Sequence, residues 1–292
     1  MSRLLNWGLA ALLVSFCWLA LLPNGPAKAG DDTQRANVVS IGNDVTEIVF
    51  ALGQGHRLVA RDSTSTYPPL ANDLPDIGYM RALSAEGVLS VGPEVIISRE
   101  GAGPPEVIDV LKASGIAFHE IPDGYTVEAI TEKVMRVGAA LGAENEAASL
   151  SADIAAQIAD AVRNRKAGTA PKRVMFIISA QGGKLTAAGQ GTSAEAIIEL
   201  AGGVNAVTGY EGYKIIEDEA ATAAAPDVIL MMDRGGNHSA DAGTLFALPS
   251  LAATPAAQQA ALVKMEGQKL LGFGPRTAEA VRELNTALYG AP

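Results

Sequence analysis

Cysteine is almost missing from this chain. Cys17 is the only one in 292 residues, and both tryptophans, Trp7 and Trp18, lie in the same opening stretch. Beyond residue 29 there is neither, which excludes disulfides, thiolate metal sites and a cysteine nucleophile from the remaining 263 residues. Histidine is scarce as well: His56, His119 and His238 are isolated and lack the His-x-x-x-His or Glu-x-x-His spacing of a zinc site. His119 alternates inside a strand pattern and reads as structural. The pairs Gly182-Gly183 and Gly189-Gln190-Gly191 carry neither a dinucleotide fingerprint nor a phosphate-loop lysine, so they read as turns. No Gly-x-Ser-x-Gly elbow is present. An enzyme of familiar mechanism is therefore not supported, and no catalytic residue is assigned.

Positive charge is also in deficit. Of 22 basic residues, Arg3 and Lys28 belong to the opening segment, leaving 20 against 32 acidic residues and a net charge of −12. That balance argues against nucleic acid and anionic membrane surfaces as partners. The opening segment has its own logic. Arg3 precedes a largely apolar run from Leu9 to Leu22, and Ala27-Lys28-Ala29 places small residues where a signal peptidase reads. The run is short for a membrane span and meets Pro23-Asn24-Gly25-Pro26 at once. Cys17 sits inside it behind Phe16, without the small-residue setting of a lipid-attachment cysteine. Residues 1–29 are expected to be a cleaved signal peptide, and the mature chain a soluble protein of an envelope space such as the periplasm.

From residue 37 onward, short β-branched runs alternate with helical stretches, the pattern of an α/β fold. Val38-Val39-Ser40-Ile41, Leu58-Val59-Ala60, Val95-Ile96-Ile97-Ser98 and residues 117–121 predict buried strands, with helices over 45–52 and 105–113 between them. A second set begins at Val174-Met175-Phe176-Ile177-Ile178 and continues at 228–232 and 262–265. Two lobes follow, over 30–126 and 169–292. Residues 127–168 between them show no strand signal. There Leu150, Ile154, Ile158 and Val162 recur every four residues, while Asp153, Gln157, Asp160 and Arg163 fall elsewhere, which predicts a long amphipathic linking helix. A stiff link of that kind implies modest lobe closure.

Two local patterns stand out. Glu86 precedes Pro93 by seven residues and Glu219 precedes Pro226 by seven, and each proline leads through an acid into a buried strand. Acids favour helix N-termini in general, but the shared spacing makes an equivalent place in each lobe the better explanation. The other pattern is Arg61-Asp62-Ser63-Thr64-Ser65-Thr66-Tyr67-Pro68-Pro69. It follows a strand directly, so it lies at the carboxyl end of a parallel sheet, where open α/β folds place ligands. On residue chemistry alone, Tyr67 also fits a surface tyrosine in a proline-rich loop.

The two-lobed pattern with its central helix resembles the cluster of periplasmic binding proteins that serve importers of vitamin B12, siderophores and haem. Asp62 to Pro68, Gly78-Tyr79-Met80-Arg81-Ala82-Leu83-Ser84-Ala85-Glu86-Gly87 and Gly272-Phe273-Gly274-Pro275-Arg276-Thr277 look like its haem-binding branch, over essentially the whole mature chain. The Ser-Thr-Tyr-Pro element is the part most specific to haem. The resemblance implies two Rossmann-like α/β lobes joined by one long helix, with the ligand cleft between them.

It also implies a function. The chain would capture haem in the periplasm as a soluble monomer and deliver it to an inner-membrane ABC permease with its ATPase. Haem is then cargo, not a resident cofactor. In that branch the tyrosine matching Tyr67 ligates the haem iron, and a hard phenolate suits ferric iron. A free phenol titrates near 10, so a neighbouring guanidinium helps it bind as phenolate. Arg234 is the candidate for that support, although an arginine at a strand end equally suits pairing with Asp233 or Glu217. Arg61, Arg81 and Lys184 are candidates for the propionates. Some relatives hold a second haem through a histidine in the other lobe. Ser179-Ala180-Gln181-Gly182-Gly183 contains none and His238 lies in a different loop, so one haem is expected. Glu86 and Glu219 match the carboxylates that dock on the permease. A ferric-siderophore or cobalamin carrier, which would need no axial tyrosine, is the alternative within the cluster. A haem-dependent envelope enzyme is the alternative of another class.

Overall fold

The computed structural model describes residues 36–164, 170–233 and 241–290. The first sheet holds β1 (Val38–Ile41), β2 (Leu58–Arg61), β3 (Val95–Arg99) and β4 (Ala117–Ile121), all parallel in the order β2-β1-β3-β4. Parallel strands need crossovers, and a sheet built this way must be covered on both faces. Strand alternation arranges it: Val38, Val95 and Ile97 point to one layer, while Val39, Ile41 and Ile96 point to the other. Helix α1 (Asn43–Ala51) covers the first layer with Val45, Ile48 and Val49. Val88 of α2 (Ala85–Ser90) and Ile108 and Leu111 of α3 (Pro105–Ala113) cover the second. One expectation needs correction. Residues 117–121 do form a strand, but it is the sheet edge, with Ile121 its one fully buried residue. Apolar Phe118 suggested a buried position, yet Lys112 covers its ring at 5.5 Å and also pairs with Glu120 at 2.9 Å.

The segment between the sheets is two helices. Helix α4 (Val127–Leu141) is capped by the Thr126 hydroxyl, which accepts from the Ala129 amide, and ends at Gly142 in the left-handed region. Helix α5 (Glu144–Arg163) folds back on it and is about 30 Å long. Its expected stripe is real: Ile154 and Ile158 are buried and Asp153 and Gln157 are exposed.

The second sheet contains β5 (Arg173–Gln181), β6 (Lys184–Ala188), β7 (Val204–Asn205), β8 (Tyr213–Ile216), β9 (Val228–Asp233) and β10 (Leu262–Glu266), in the order β10-β9-β5-β6-β8. Its parallel part is β10, β9 and the start of β5, whose first two residues also pair with β7. The end of β5 turns antiparallel into β6, which pairs with β8. Both residues of that hairpin turn, Gly182 (φ 60°) and Gly183 (φ 76°), are left-handed, the form that suits the twist of the flanking strands. Helices α6 (Ser193–Leu200), α7 (Asp218–Ala223), α8 (Ala242–Phe246), α9 (Pro249–Ala252), α10 (Pro255–Gln258), α11 (Gly267–Leu271) and α12 (Thr277–Tyr289) complete this lobe.

The lobes do not have wholly separate interiors. One apolar core runs from Val38 and Ile97 of the first sheet through Ile154 and Ile158 of α5 to Val174, Phe176 and Leu230 of the second, closed by Leu284 and Leu288 of α12. A second core, with Met175, Ile177, Ile229 and Leu251, lies on the other face of the second sheet. Close approach of α4 and α5 needs Gly138, where a Cβ would lie 2.3 Å from the Ala147 Cβ. Gly138→Val is expected to lower unfolding free energy by about 1–3 kcal/mol, because overpacking outweighs the gain in helix propensity. Urea denaturation of Gly138→Val and of Gly138→Val with Ala147→Gly checks this, and the second change is expected to restore part of the loss.

Candidate functional site

The loop that follows β2 hangs on one carboxylate. Asp62 is fully buried; its Oδ1 accepts from the Gly42 amide at 2.8 Å and from the Ser65 hydroxyl at 2.6 Å. Its Oδ2 accepts from the Thr64 amide at 2.9 Å and the Thr64 hydroxyl at 2.5 Å. An acid at the start of a turn commonly binds its own backbone two residues on, and here the same group also reaches α1. Gly42 makes this possible: it has φ 110°, and a Cβ there would lie 2.9 Å from the Arg99 Cβ. Thr46 of α1 donates to the Ser65 hydroxyl at 2.8 Å, and the Ser63 amide donates to the Gly78 carbonyl at 2.9 Å. Residues 62–65 are thus tied to their own lobe.

Residues 64–67 are gripped from the other lobe. The Gln268 amide of α11 donates to the Thr64 carbonyl and, at 2.9 Å, to the Thr66 hydroxyl. The Arg276 guanidinium lies 3.7 Å from the centroid of the Tyr67 ring. Arg276 is itself fixed by Glu47 of α1 and by Glu266, each at 3.0 Å. Burial pushes the Glu47 carboxyl up to about 7, against the opposing pull of Arg276. Tyr67 remains 40% exposed, precedes a cis peptide to Pro68, and lines a pocket of about 310 Å³ with Glu47, Phe50 and Pro275.

A larger cleft, of about 440 Å³, opens between the sheets. Tyr79, Arg81, Arg99, Asp123 and Tyr125 line it from the first lobe, and Tyr213, Met232 and Gln268 from the second. Burial raises the Tyr125 and Tyr213 phenols above their ordinary range, so both are neutral near pH 7. Burial also opposes the charge of Arg99, but Asp44 and Asp123 more than offset it and hold the guanidinium protonated. Behind Arg99, the fully buried Lys133 ammonium pairs with Asp44 and lies 3.4 Å from both Asp123 and the Phe273 carbonyl. Among the described residues no group of three His, Cys, Asp or Glu side chains is arranged to hold a bare metal ion.

The residues singled out in the sequence are distributed unevenly. Tyr67 stands beside the cleft and is not among its lining residues, whereas Thr64 of the same loop is. Of the three cations suggested for carboxylate binding, Arg81 lines the cleft. Arg61 is buried and spent on Asp76 at 2.7 Å and the Ala71 carbonyl at 3.2 Å, and Lys184, the first residue of β6, is not among the lining residues. Arg234 and His238 lie outside the described residues. Glu86 and Glu219 are both exposed in the first turns of α2 and α7, and each helix leads through its proline into β3 or β9. Sequence reasoning passed over Arg99, Tyr125, Tyr213 and Arg276. The available signal for Arg99 was its place at the carboxyl end of β3, the position that also drew attention to Arg61.

Two lobes, a cleft between their sheets and a loop beside it held from both sides define a two-lobed binding protein. A family model described as periplasmic binding protein matches residues 38–268, and the chain belongs to that family. It is similar to the apo structure of the periplasmic haem-binding protein RhuT from Roseiflexus sp. RS-1, with 38% identity and a TM-score of 0.83 over 87% of this chain and 98% of that one. It is also similar to the periplasmic haem-binding protein BhuT in complex with two haems, with 37% identity and a TM-score of 0.82 over 86% and 97%. By sequence it is 27% identical over 243 residues to a vitamin B12-binding protein of Yersinia pestis, covering 83% of this chain and 81% of the relative.

The Glu47 environment sets a pH dependence. A carboxyl raised to about 7 in the folded protein stays protonated where the unfolded chain, near 4.5, has released its proton. Its stabilising effect is complete below pH 4.5 and is lost as pH rises through 7, at a slope of at most about 1.4 kcal/mol per pH unit. Urea midpoints measured from pH 4.5 to 8 are expected to fall more steeply for the unmodified protein than for Glu47→Gln.

Proposed function

We propose that this chain captures haem between its two lobes in the periplasm and delivers it to the inner-membrane permease of an ATP-driven importer. The observation that carries the reading is the composition of the cleft: Tyr79, Tyr125 and Tyr213 with Arg81 and Arg99, in a chain whose solved relatives bind haem. Aromatic faces suit a flat porphyrin, and guanidinium groups suit its carboxylates. Tyr67 is the iron ligand in this reading, with the porphyrin extending over Thr64 into the cleft. Arg234 retains its proposed place beside the phenolate. Residues 1–29 are removed on export, and lobe boundaries fall at 30–126, 127–168 and 169–292. The carrier is a monomer that holds one haem and catalyses nothing.

Cobalamin is the second ligand to test, because curated relatives at 27% identity bind it. Haemin and cyanocobalamin titrations of the unmodified protein and of Tyr67→Phe separate the two. Tyr67→Phe keeps the ring and removes the oxygen, so the reading expects loss of the ferric tyrosinate absorption and weakening of haemin affinity by more than tenfold. Tight cyanocobalamin binding, unaffected by the change, would reassign the carrier.

Glu86 and Glu219 dock the lobes on the permease. Two carboxylates at exposed, equivalent helix starts serve encounter and register, so their effect weakens with salt. Glu86→Ala with Glu219→Ala is expected to leave haemin affinity unchanged and to lower haem uptake into vesicles carrying the cognate permease, by more than either change alone. Normal uptake by the double variant would return both to ordinary helix N-terminal acids.

A further inference from the structure

We infer that Arg276, assisted by Gln268, is the positioning residue that presents Tyr67 to the haem iron; this rests on the reading of Tyr67 as the ligand. Tyr67 belongs to the first lobe, yet both groups that fix its surroundings come from the second. Gln268 holds Thr64 and Thr66, the latter immediately before the tyrosine, and Arg276 covers one face of its ring at 3.7 Å. A phenol held only by its backbone rotates about two side-chain torsions. Covering one face removes most of that freedom and leaves the edge with its oxygen open.

The geometry suits arginine and no other residue. A planar guanidinium can lie flat on a ring while its edge donates to two carboxylates, here Glu47 and Glu266. Those acids come from different lobes, so the plane is braced from both. One guanidinium nitrogen, Nη2, is buried and finds no partner among the described residues. It is a spare donor beside the proposed ligand. A lysine would bring the charge without the plane, and could not make the stacked contact and both ion pairs at once.

The test is haemin titration, followed by absorption, of the unmodified protein, Arg276→Ala, Arg276→Lys, Tyr67→Phe and the double variant Tyr67→Phe with Arg276→Ala. Arg276→Ala is expected to weaken haemin about tenfold and to diminish the tyrosinate band, with Arg276→Lys recovering only part. In the Tyr67→Phe background, Arg276→Ala is expected to change affinity no further, since its effect passes through the phenol. Unmodified affinity and band in Arg276→Ala, with the band lost in Tyr67→Phe, would overturn the role of Arg276 and leave Tyr67 as ligand. Equal losses in both backgrounds would show general support of the cleft and also overturn it. A band retained in Tyr67→Phe would remove the ligand reading itself. Circular dichroism establishes that each variant is folded. If Arg276→Ala is not, Gln268→Ala decides: a reduced band supports the inference and an unchanged one contradicts it.

Discussion

A buried ammonium group holds the two lobes in register. Lys133 of α4 has no exposed surface, and its charge is met by Asp44 at the start of α1, by Asp123 before α4 and by the Phe273 carbonyl from the second lobe. Taking an ammonium group out of water costs several kcal/mol, which only close and numerous acceptors offset. The three acceptors come from three segments, so all three must be in place together. Asp44 has a second duty: it lies 3.6 Å from Arg99, the guanidinium at the cleft wall. Phe273, in the left-handed region at φ 47°, is fully buried and packs its ring 5.2 Å from Tyr125, another cleft residue. The segment that follows it carries Arg276. The Lys133 network therefore fixes the cleft wall and anchors the segment leading to Arg276, whose own ion pairs are with Glu47 and Glu266.

Recognition is divided between the lobes in a way the fold makes economical. The first lobe supplies the loop, built on the Asp62 carboxylate and tied to α1. The second supplies what holds its far end, Gln268 and Arg276. Neither lobe alone presents Tyr67 in its observed place. The apolar core shared through α5 and α12 and the charge network at Lys133 both tie the lobes together. In the proposed reading, what discriminates ligands is local chemistry: aromatic faces and cations in the cleft, with a tyrosine oxygen beside it.

Much of this was legible before any coordinates. Short β-branched runs identified seven strands, all four of the first sheet and β5, β9 and β10 of the second, and the four-residue recurrence at Leu150, Ile154 and Ile158 identified α5. The strands missed were β6, β7 and β8, whose sequences are short or mixed with polar residues because they pair antiparallel or at the margin. Gly182-Gly183 forms the turn its sequence predicts, and the β5–β6 hairpin it closes has no comparable signal. For the site, the Asp62 to Pro68 loop declared itself through its position after a strand. Arg276 did not, although its motif was noted, because its value depends on contacts across more than 200 residues with Glu47 and Tyr67. Arg61 and Arg99 end β2 and β3, the strands on either side of β1, and look alike in sequence. Only packing shows that Arg61 is consumed by Asp76 and a carbonyl while Arg99 faces the cleft.

The most direct test of the account is a crystal structure of the protein loaded with haemin. The account predicts one porphyrin between the lobes, its iron bonded to the Tyr67 oxygen, its carboxylates near Arg81 and Arg99, and Arg276 still lying on the tyrosine ring. Iron bonded to Tyr79, Tyr125 or Tyr213, with Tyr67 remote from the ligand, would contradict it.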